Sequence, residues 1–429
     1  MAGKRILVVG AGFAGLYAAM GMRALARAGH RITVVNPQNF MQYQPFLPEV
    51  ASGTIDPRAV AVPLRTTLRH CEIVIGEVER LDHGARQATI RLADGSERVT
   101  EYDVLVLTPG STSRVLPIPG LAEHGIGFKT VQEAIYLRNR VLSRLDVAAE
   151  TEEERRRSAL TFVFVGGGYA GVEALGELED LARDAIATYP TLAAEDMRWL
   201  LVDVAPKILP ELGPELAAYA VERLAERGIE VLVETRLESY EDRIVRLSGG
   251  RTFAADTLVW TAGVRPSSLA RNAGLPVDEA GRVHVDEHLR VEGAEDVWAA
   301  GDAAAVPDRT TGGIMPPTAQ HGMRQGRQLA RNLTAWVEGG RLEPFVHRNI
   351  GAVCSLGRYK GIAVIWGVKL RGFPAWFAHR SYHLYAMPTF TRKAKIAADW
   401  TVALLFPRDL AQLGSLEHPR DPFERAVNE

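Results

Sequence analysis

Cysteine is scarce in this chain: 429 residues contain two, Cys71 and Cys354. They lie far apart and form no C-x-x-C pair. Neither a disulfide framework nor a paired-thiol site is expected, which fits a reducing compartment. Cys71 opens a strand-like run and is expected in the core. Long apolar runs are also missing, and none reaches the ~18 residues needed to cross a bilayer. A strand-like run begins at Arg5, so no signal peptide is expected ahead of it. Net charge is slight, −2 at pH 7, and gives no reason to expect nucleic acid as a partner. His379 and His383 stand four residues apart, a spacing that suits a metal. No third ligand is evident nearby, and no metal is expected.

What remains is an ordinary globular composition, 47% hydrophobic and 24% charged, in a chain long enough for two or three domains. The charge is unevenly spread. From Arg341 onward there are 13 Lys and Arg against 7 Asp and Glu, which hints at a surface partner for the basic end.

Glycine carries the chemistry. RILVVGAGFAG places Gly10, Gly12 and Gly15 at G-x-G-x-x-G spacing directly after a β-rich run, and TFVFVGGGYAGVE repeats this with Gly166, Gly168 and Gly171. The first glycine of such a set permits a tight strand-to-helix turn. The second lets the backbone approach a pyrophosphate, and the third lets helix and strand pack closely. The helix that follows offers free N–H groups and a positive dipole end to phosphate. One such motif is weak; two, each between a strand and a helical pattern, predict two dinucleotide sites.

The repeat extends beyond the glycines. The first unit reads as strand Arg5 to Val9, helix Ala14 to Ala28, and strand Arg31 to Val35, followed by Asn36 where a ribose-binding acid usually stands. An amide can still bond one hydroxyl, but it lacks the charge. The second unit has Asp203 at the matching place, suited to both ribose hydroxyls of NADH and repulsive to a 2′-phosphate, although Lys207 softens that rejection. A strand from Cys71 to Val78 and a hairpin, Ala88 to Leu92 with Glu97 to Thr100, follow the first unit. Late strands end in Thr108-Pro109-Gly110 and Thr261-Ala262-Gly263. Pro117 to Gly120 reads as a linker, and TEEERRRS (Thr151 to Ser158) as a solvated connector. VWAAGDAA (Val297 to Ala304) and PPTAQHGMRQG (Pro316 to Gly326) come after. Proline and Thr318 suit a helix start there.

With GAGFAG, YQPFLPEVASG, TPG, GGGYAGVE, TAGV, AAGDAA and AQHGMRQG in that order, the chain resembles the two-dinucleotide flavoprotein oxidoreductases. Among them it is similar to the type II NADH dehydrogenases, NADH:quinone oxidoreductases that pump no protons. The resemblance implies an α/β fold of two Rossmann-like domains plus a C-terminal amphipathic, membrane-facing segment. FAD is held at the first glycine turn, with Gly110, Gly301 and Asp302 against it, and NADH at the second, with Gly263. Residues 1–118 and 266–340 then form the FAD domain, residues 119–265 the NADH domain, and 341–429 the C-terminal segment. Ala319 opens a helix aimed at the flavin, with Gln320 and His321 beside the ring near a quinone, and Glu173 near both rings. Hydride passes from nicotinamide to flavin N5, then two electrons to a quinone. Disulfide reductases of this fold carry C-x₄-C where this chain reads NFMQYQPFLPEV, so thiol chemistry is not expected. Two rivals are a soluble reductase of a ferredoxin-like carrier and a flavin-binding redox sensor.

The C-terminal segment reads as two amphipathic helices. FPAWFAHRSYHLY sets Phe373, Trp376, Phe377, Leu384 and Tyr385 near one face, with His379, Arg380 and His383 on its flanks. TRKAKIAADWTVALLF repeats the theme with Arg392, Lys393 and Lys395, then Ile396, Trp400, Leu404 and Leu405. Such helices lie in the headgroup region of anionic lipid, which implies peripheral attachment to the cytoplasmic face of a membrane. The same faces also suit a homodimer interface.

Overall fold

A computed structural model describes residues 3–294, 296–347 and 351–412. The first unit comprises β1 (Arg5–Val9), α1 (Phe13–Gly21), β2 (Arg31–Asn36), α2 (Leu47–Ala51), β3 (Glu72–Asp82), β4 (Gln87–Leu92), β5 (Glu97–Glu101) and β6 (Val104–Leu107). The second comprises β7 (Ile126–Gly127), β8 (Thr161–Val165), α3 (Tyr169–Ile186), β9 (Arg198–Val202), β10 (Ile229–Leu232) and β11 (Thr257–Trp260). Then follow β12 (Val297–Ala299), the long helix α4 (Ala319–Val337), strands β13 (Gly351–Ser355), β14 (Gly361–Ile365) and β15 (Val368–Arg371), and helices α5 (Phe373–Ala386) and α6 (Phe390–Leu405).

Two sheets organise the chain. One has seven strands in the order β12–β6–β1–β2–β3–β4–β5, and the other five in the order β7–β11–β8–β9–β10. The five-stranded sheet is parallel throughout. The seven-stranded sheet is parallel from β12 to β3 and antiparallel over the β3–β4–β5 meander. Strands RILVV, TFVFV and VLVL are apolar without alternation because helices cover both faces. β12 arrives from beyond the second sheet, pairing Val297 with Leu105. The first sheet is therefore built from two separated stretches of sequence.

Some expectations change. The helix expected from Ala14 to Ala28 is two, Phe13–Gly21 and Arg23–Arg27. Gly21 lies at the break, where an added Cβ would come within 2.5 Å of Ala330 Cβ on α4. TEEERRRS holds the helix Glu153–Ala159, acidic in its first turn and basic in its last, as the helix dipole favours. The C-terminal segment begins with an antiparallel three-stranded sheet, β13–β14–β15, before its two helices. Its last part, from 413 on, lies outside the described residues.

Those two helices are not simply amphipathic. Phe373, Phe377, Tyr385, Phe390, Leu404 and Leu405 are exposed, but Trp376 and Ile396 are buried. His379 and Arg380, read as polar flanks, are buried as well. Acidic partners draw them inward: Arg380 pairs with Glu49 at 3.0 Å and His379 with Glu173 at 3.0 Å. Arg380 also lies over the rings of Trp376 and Trp400, and Trp400 Nε1 donates to Glu49 Oε2 at 2.6 Å. A buried carboxylate and guanidinium and a partly buried indole thus latch α5 and α6 onto α2.

Candidate active site

The two glycine turns have the same construction. Gly10 has φ +88° and Gly166 φ +120°, a region open to glycine at little cost. A Cβ on Gly10 would lie 2.3 Å from Thr108 O, and one on Gly166 2.6 Å from Thr261 Oγ1. Gly15 and Gly171 press on the turn behind them, where a Cβ would meet Gly10 O at 1.9 Å and Gly166 O at 2.0 Å. Gly12 and Gly168 differ: a Cβ there would meet nothing within 4 Å. Each middle glycine therefore stands against open space at a helix N-terminus, with no side-chain cap. That is the cradle a pyrophosphate requires, and the first turn fits FAD as the second fits a nicotinamide dinucleotide.

The late strands lock the turns. Thr108 Oγ1 donates to Val9 O at 3.0 Å and to Gly10 O at 2.9 Å; Thr261 Oγ1 makes the matching bonds to Val165 O and Gly166 O at 3.0 and 3.1 Å. The repeated T-x-G in the sequence was the signal for this clamp. Gly110 and Gly263 follow with φ +73° and +93°, also facing open space.

Asn36 and Asp203 occupy equivalent places and brace the turns. Asn36 Oδ1 accepts from Ala11 N at 2.9 Å, while its amide nitrogen donates to Gln38 O at 2.8 Å and Phe40 O at 3.4 Å. Both ends of the amide are engaged inside the protein. Asp203 Oδ2 accepts from Gly167 N, and Oδ1 from Ala205 N at 2.7 Å. The two oxygens of Asp203 keep further lone pairs for a ribose, while the single amide oxygen of Asn36 keeps one beyond its bond from Ala11 N.

Asp302 lies in a one-turn 3₁₀ segment, Gly301–Ala303. Ser111 Oγ donates to Asp302 Oδ2 at 2.5 Å, and Lys129 Nζ donates to Ser111 Oγ at 2.9 Å. Gly301 N donates to Gln325 Oε1 at 2.8 Å. Burial lowers the pKa of Lys129, with Asp302 and Glu133 opposing. Ser111 and Lys129 were not singled out in the sequence, because tertiary contacts alone bring them to Asp302; Gln325 stands in the AQHGMRQG string. A narrow cleft lined by Asp302, Pro316, Thr318, His321 and Gln325 runs beside the start of α4.

Thr318 caps α4: its Oγ1 accepts from His321 N at 3.4 Å and lies 2.7 Å from His321 Nδ1. His321 Nδ1 is also 3.1 Å from Pro316 O. His321 is buried, and burial holds its pKa below the usual imidazole value. Its ring faces His347, centroids 4.9 Å apart. Burial, then Arg324 and His321, push His347 down to about 4. Gln320 Oε1 accepts from Arg324 Nη1 at 3.1 Å. So His321 lines the cleft with Thr318, while Ala319 and Gln320 precede it in the first turn of α4. Glu173 is elsewhere: it is buried and accepts from Ser355 N at 2.9 Å. Among the described residues no hydrogen bond or ion pair joins it to Gln320 or His321.

Burial pushes both thiols up, Cys71 to about 12 and Cys354 well above its ordinary value. Neither is a ready thiolate at neutral pH. No group of three or more metal-ligating side chains is found among the described residues.

Two sheets, each with a parallel strand ending in a glycine turn open for a phosphate, and an A-A-G-D turn beside the first, define a two-dinucleotide oxidoreductase. The model of the pyridine nucleotide-disulphide oxidoreductase family matches residues 4–326. The type II NADH:quinone oxidoreductase Ndh of Mycobacterium tuberculosis is 30% identical over 420 residues, spanning 94% of this chain and 89% of the relative. The internal alternative NAD(P)H-ubiquinone oxidoreductase A1 of Arabidopsis mitochondria is 29% identical, spanning 95% and 86%. The structure of Plasmodium falciparum NDH2 in complex with NADH superposes with a TM-score of 0.89 at 16% identity, covering 95% of this chain and 99% of that one; the fold is shared. The chain belongs to the pyridine nucleotide-disulphide oxidoreductase family, in its type II NADH:quinone oxidoreductase group.

Proposed function

We propose that this protein is an FAD-dependent NADH:quinone oxidoreductase that pumps no protons. The observation that carries the reading is the pair of glycine turns, each with its middle glycine facing open space at a bare helix N-terminus. Bound FAD supplies two-electron exchange, from the hydride of a nicotinamide to a quinone.

The residues divide the remaining work. Gly10, Gly12, Gly15, Gly110, Gly301 and Asp302 hold FAD, with Asn36 bracing the turn. Gly166, Gly168, Gly171, Gly263 and Asp203 hold NADH. The first turn of α4 leaves the N–H groups of Ala319 and Gln320 without intrahelical acceptors. Its positive end favours negative charge on a group placed before it. Gln320 and His321 orient the acceptor from the same turn. Glu173, in the first turn of α3, assists proton handling or ring positioning near the two rings. This reading divides the chain into an FAD unit of 1–118 and 266–340, an NADH unit of 119–265, and a C-terminal segment, 341–429. The return of β12 into the first sheet supports that division.

Among the described residues no helix is long and apolar enough to cross a membrane. The exposed Phe373, Phe377, Tyr385, Phe390, Leu404 and Leu405 of α5 and α6 support peripheral attachment to anionic lipid on the cytoplasmic face, where a quinone is drawn from the bilayer. The test is steady-state NADH oxidation by the purified yellow protein, with a short-chain quinone set against protein carriers. Rapid quinone turnover is expected. Flavin that NADH reduces and quinone does not reoxidise would point to a carrier reductase or a sensor instead.

A further inference from the structure

A cavity of about 530 Å³ lies outside the roles given above, lined by Arg23, Arg27, Thr66, Thr67, Arg69 and His70. The fold sets its position. α1 starts at the first glycine turn and runs away from it, and the short helix Arg23–Arg27 follows before β2 begins at Arg31. The opposite wall is the short helix Leu64–Thr67 and the turn that leads into β3 at Glu72. β1, β2 and β3 are parallel. The cavity therefore borders the edge of the sheet where these strands begin, whereas the glycine turn borders the edge where β1 ends. It is neither the FAD cradle nor the cleft beside Asp302.

The lining carries one sign of charge. It holds three guanidiniums and an imidazole, and no carboxylate. Among the described residues no hydrogen bond or ion pair reaches the guanidinium of Arg23, Arg27 or Arg69. Arginines on neighbouring segments do find acids: Arg98 pairs with Glu72 at 2.7 Å and Arg58 with Asp56 at 3.0 Å. Arg23 and Arg27 stand four residues apart on one helix face, where like charges repel. Arg27 sits in the last turn, where the helix dipole favours a cation; Arg23, at the other end, has no such help. A cluster that repels itself and has no acid of its own points to an anion from outside the chain.

The rest of the lining fixes shape. His70 Nε2 lies 2.9 Å from Ala19 O. A carbonyl only accepts, so this nitrogen carries a hydrogen and ties the ring to α1. Thr67 Oγ1 donates to Pro63 O at 2.7 Å and Thr66 Oγ1 to the same oxygen at 3.4 Å. Both hydroxyl hydrogens are engaged, and the donors for a ligand come from the arginines. Each guanidinium offers five N–H groups in a flat fork that matches two oxygens of one phosphate. Three forks around one cavity suit a group with several negative charges; a single carboxylate would leave most of them idle.

We propose that this cavity binds a phosphate-bearing anion, with Arg23, Arg27 and Arg69 as its donors. Two sources share that chemistry: a soluble polyphosphate or phosphate ester, and the headgroup of an anionic phospholipid. α1 brings the second within reach, since Tyr17 Oη donates to Ala386 O at 3.1 Å where α5 ends, between the exposed Tyr385 and Phe390. The site makes no use of the quinone reading and stands or falls without it.

The soluble probe is tripolyphosphate, titrated by calorimetry into the flavin-loaded full chain with NAD⁺ saturating, so that the second glycine turn is filled. One-to-one binding that weakens as salt rises is expected. Arg23→Gln, Arg27→Gln and Arg69→Gln together should weaken it at least about tenfold. The three positions are exposed, so this variant should fold and keep the wild-type flavin spectrum and KM for NADH. The deciding variant combines Arg23→Lys, Arg27→Lys and Arg69→Lys. It keeps the charge and loses the forks, so a built site weakens about tenfold where a merely charged surface does not. Vesicles separate the two sources. Tripolyphosphate binding that both variants weaken, with pelleting on phosphatidylglycerol vesicles unchanged, assigns the site to a soluble phosphate. Pelleting on phosphatidylglycerol, and not on phosphatidylcholine, that falls in both variants while tripolyphosphate gives no heat assigns it to a lipid headgroup. A lysine variant that matches wild type in both assays overturns the proposal.

Discussion

Gly326 on α4 lies against Ala14 on α1 with no room for a methyl group: a Cβ there would sit 2.2 Å from the Ala14 carbonyl oxygen. Ala14 is two residues past the open Gly12. The contact therefore sets the height of the first glycine turn against α4. Gly326→Ala should force the helices apart. A loss of about 1–3 kcal/mol is expected from overpacking, read by urea unfolding. The variant should also release FAD more readily, read as flavin fluorescence in a filtrate. Wild-type stability with full flavin retention would show that the helices separate at no cost.

Asp203 braces Gly167 and Ala205 and still has lone pairs for a ribose. Asp203→Asn keeps the shape and removes the charge. KM for NADH should rise about tenfold, the size of one charge-assisted hydrogen bond, with the visible flavin spectrum unchanged. Discrimination against NADPH should narrow, since the repulsion of a 2′-phosphate is gone. Unchanged KM values for both nucleotides would place the ribose elsewhere.

Asp256 is buried in the second unit and receives Arg144 at 2.8 Å, Arg155 at 2.6 Å and Ser158 Oγ at 2.8 Å. Burial opposes its ionisation, but the bonds from Arg155, Ser158 and Arg144 outweigh it and hold the carboxyl well below the usual range. The folded pKa is depressed, so this stabilisation is complete above the unfolded value of about 4 and is lost as pH falls below it. Asp256→Asn should lose about 3 kcal/mol at neutral pH, because Arg144 is left half-buried without its partner. The gap between variant and wild type should narrow in acid unfolding measured below about pH 4. A gap independent of pH would show that shape, rather than charge, makes the contribution.

Phe373, Phe377 and Phe390 are more than half exposed. Replacing all three by serine should cut co-sedimentation with anionic vesicles at least about tenfold, since each buried phenyl contributes about 1.5–3 kcal/mol. NADH oxidation with a water-soluble acceptor should be kept. Undiminished pelleting would assign these rings to another partner, a second copy of the chain included; gel filtration then distinguishes the two.

The sequence was most informative where the chemistry is local. A glycine turn between a strand and a helix is complete within about 30 residues, so both dinucleotide units could be read. It was least informative where distant segments meet. His379 and Arg380 read as polar flanks because helical periodicity shows which side is polar, not whether that side finds a buried acid. Their partners, Glu173 and Glu49, come from α3 and α2. Ser111 and Lys129 likewise gained meaning only beside Asp302. Asn36 was read as a weakened ribose contact; its amide also braces the turn beside it, a contact that only the fold reveals. The helix in TEEERRRS was missed although its acids precede its bases, because a run of charge invites a solvated reading; its Arg155 reaches the buried Asp256.

The strand Val297–Ala299 borders β6 in the first sheet, although every strand of the other sheet precedes it in the chain. During synthesis from the N-terminus, the later-starting nucleotide unit can close on itself while the earlier one still waits for its missing edge and for Asp302. Flavin capture is therefore expected only after this strand and Asp302 have joined the first sheet. A nascent chain halted before residue 297 should contain a folded nicotinamide module tethered to an unfinished, colourless neighbour.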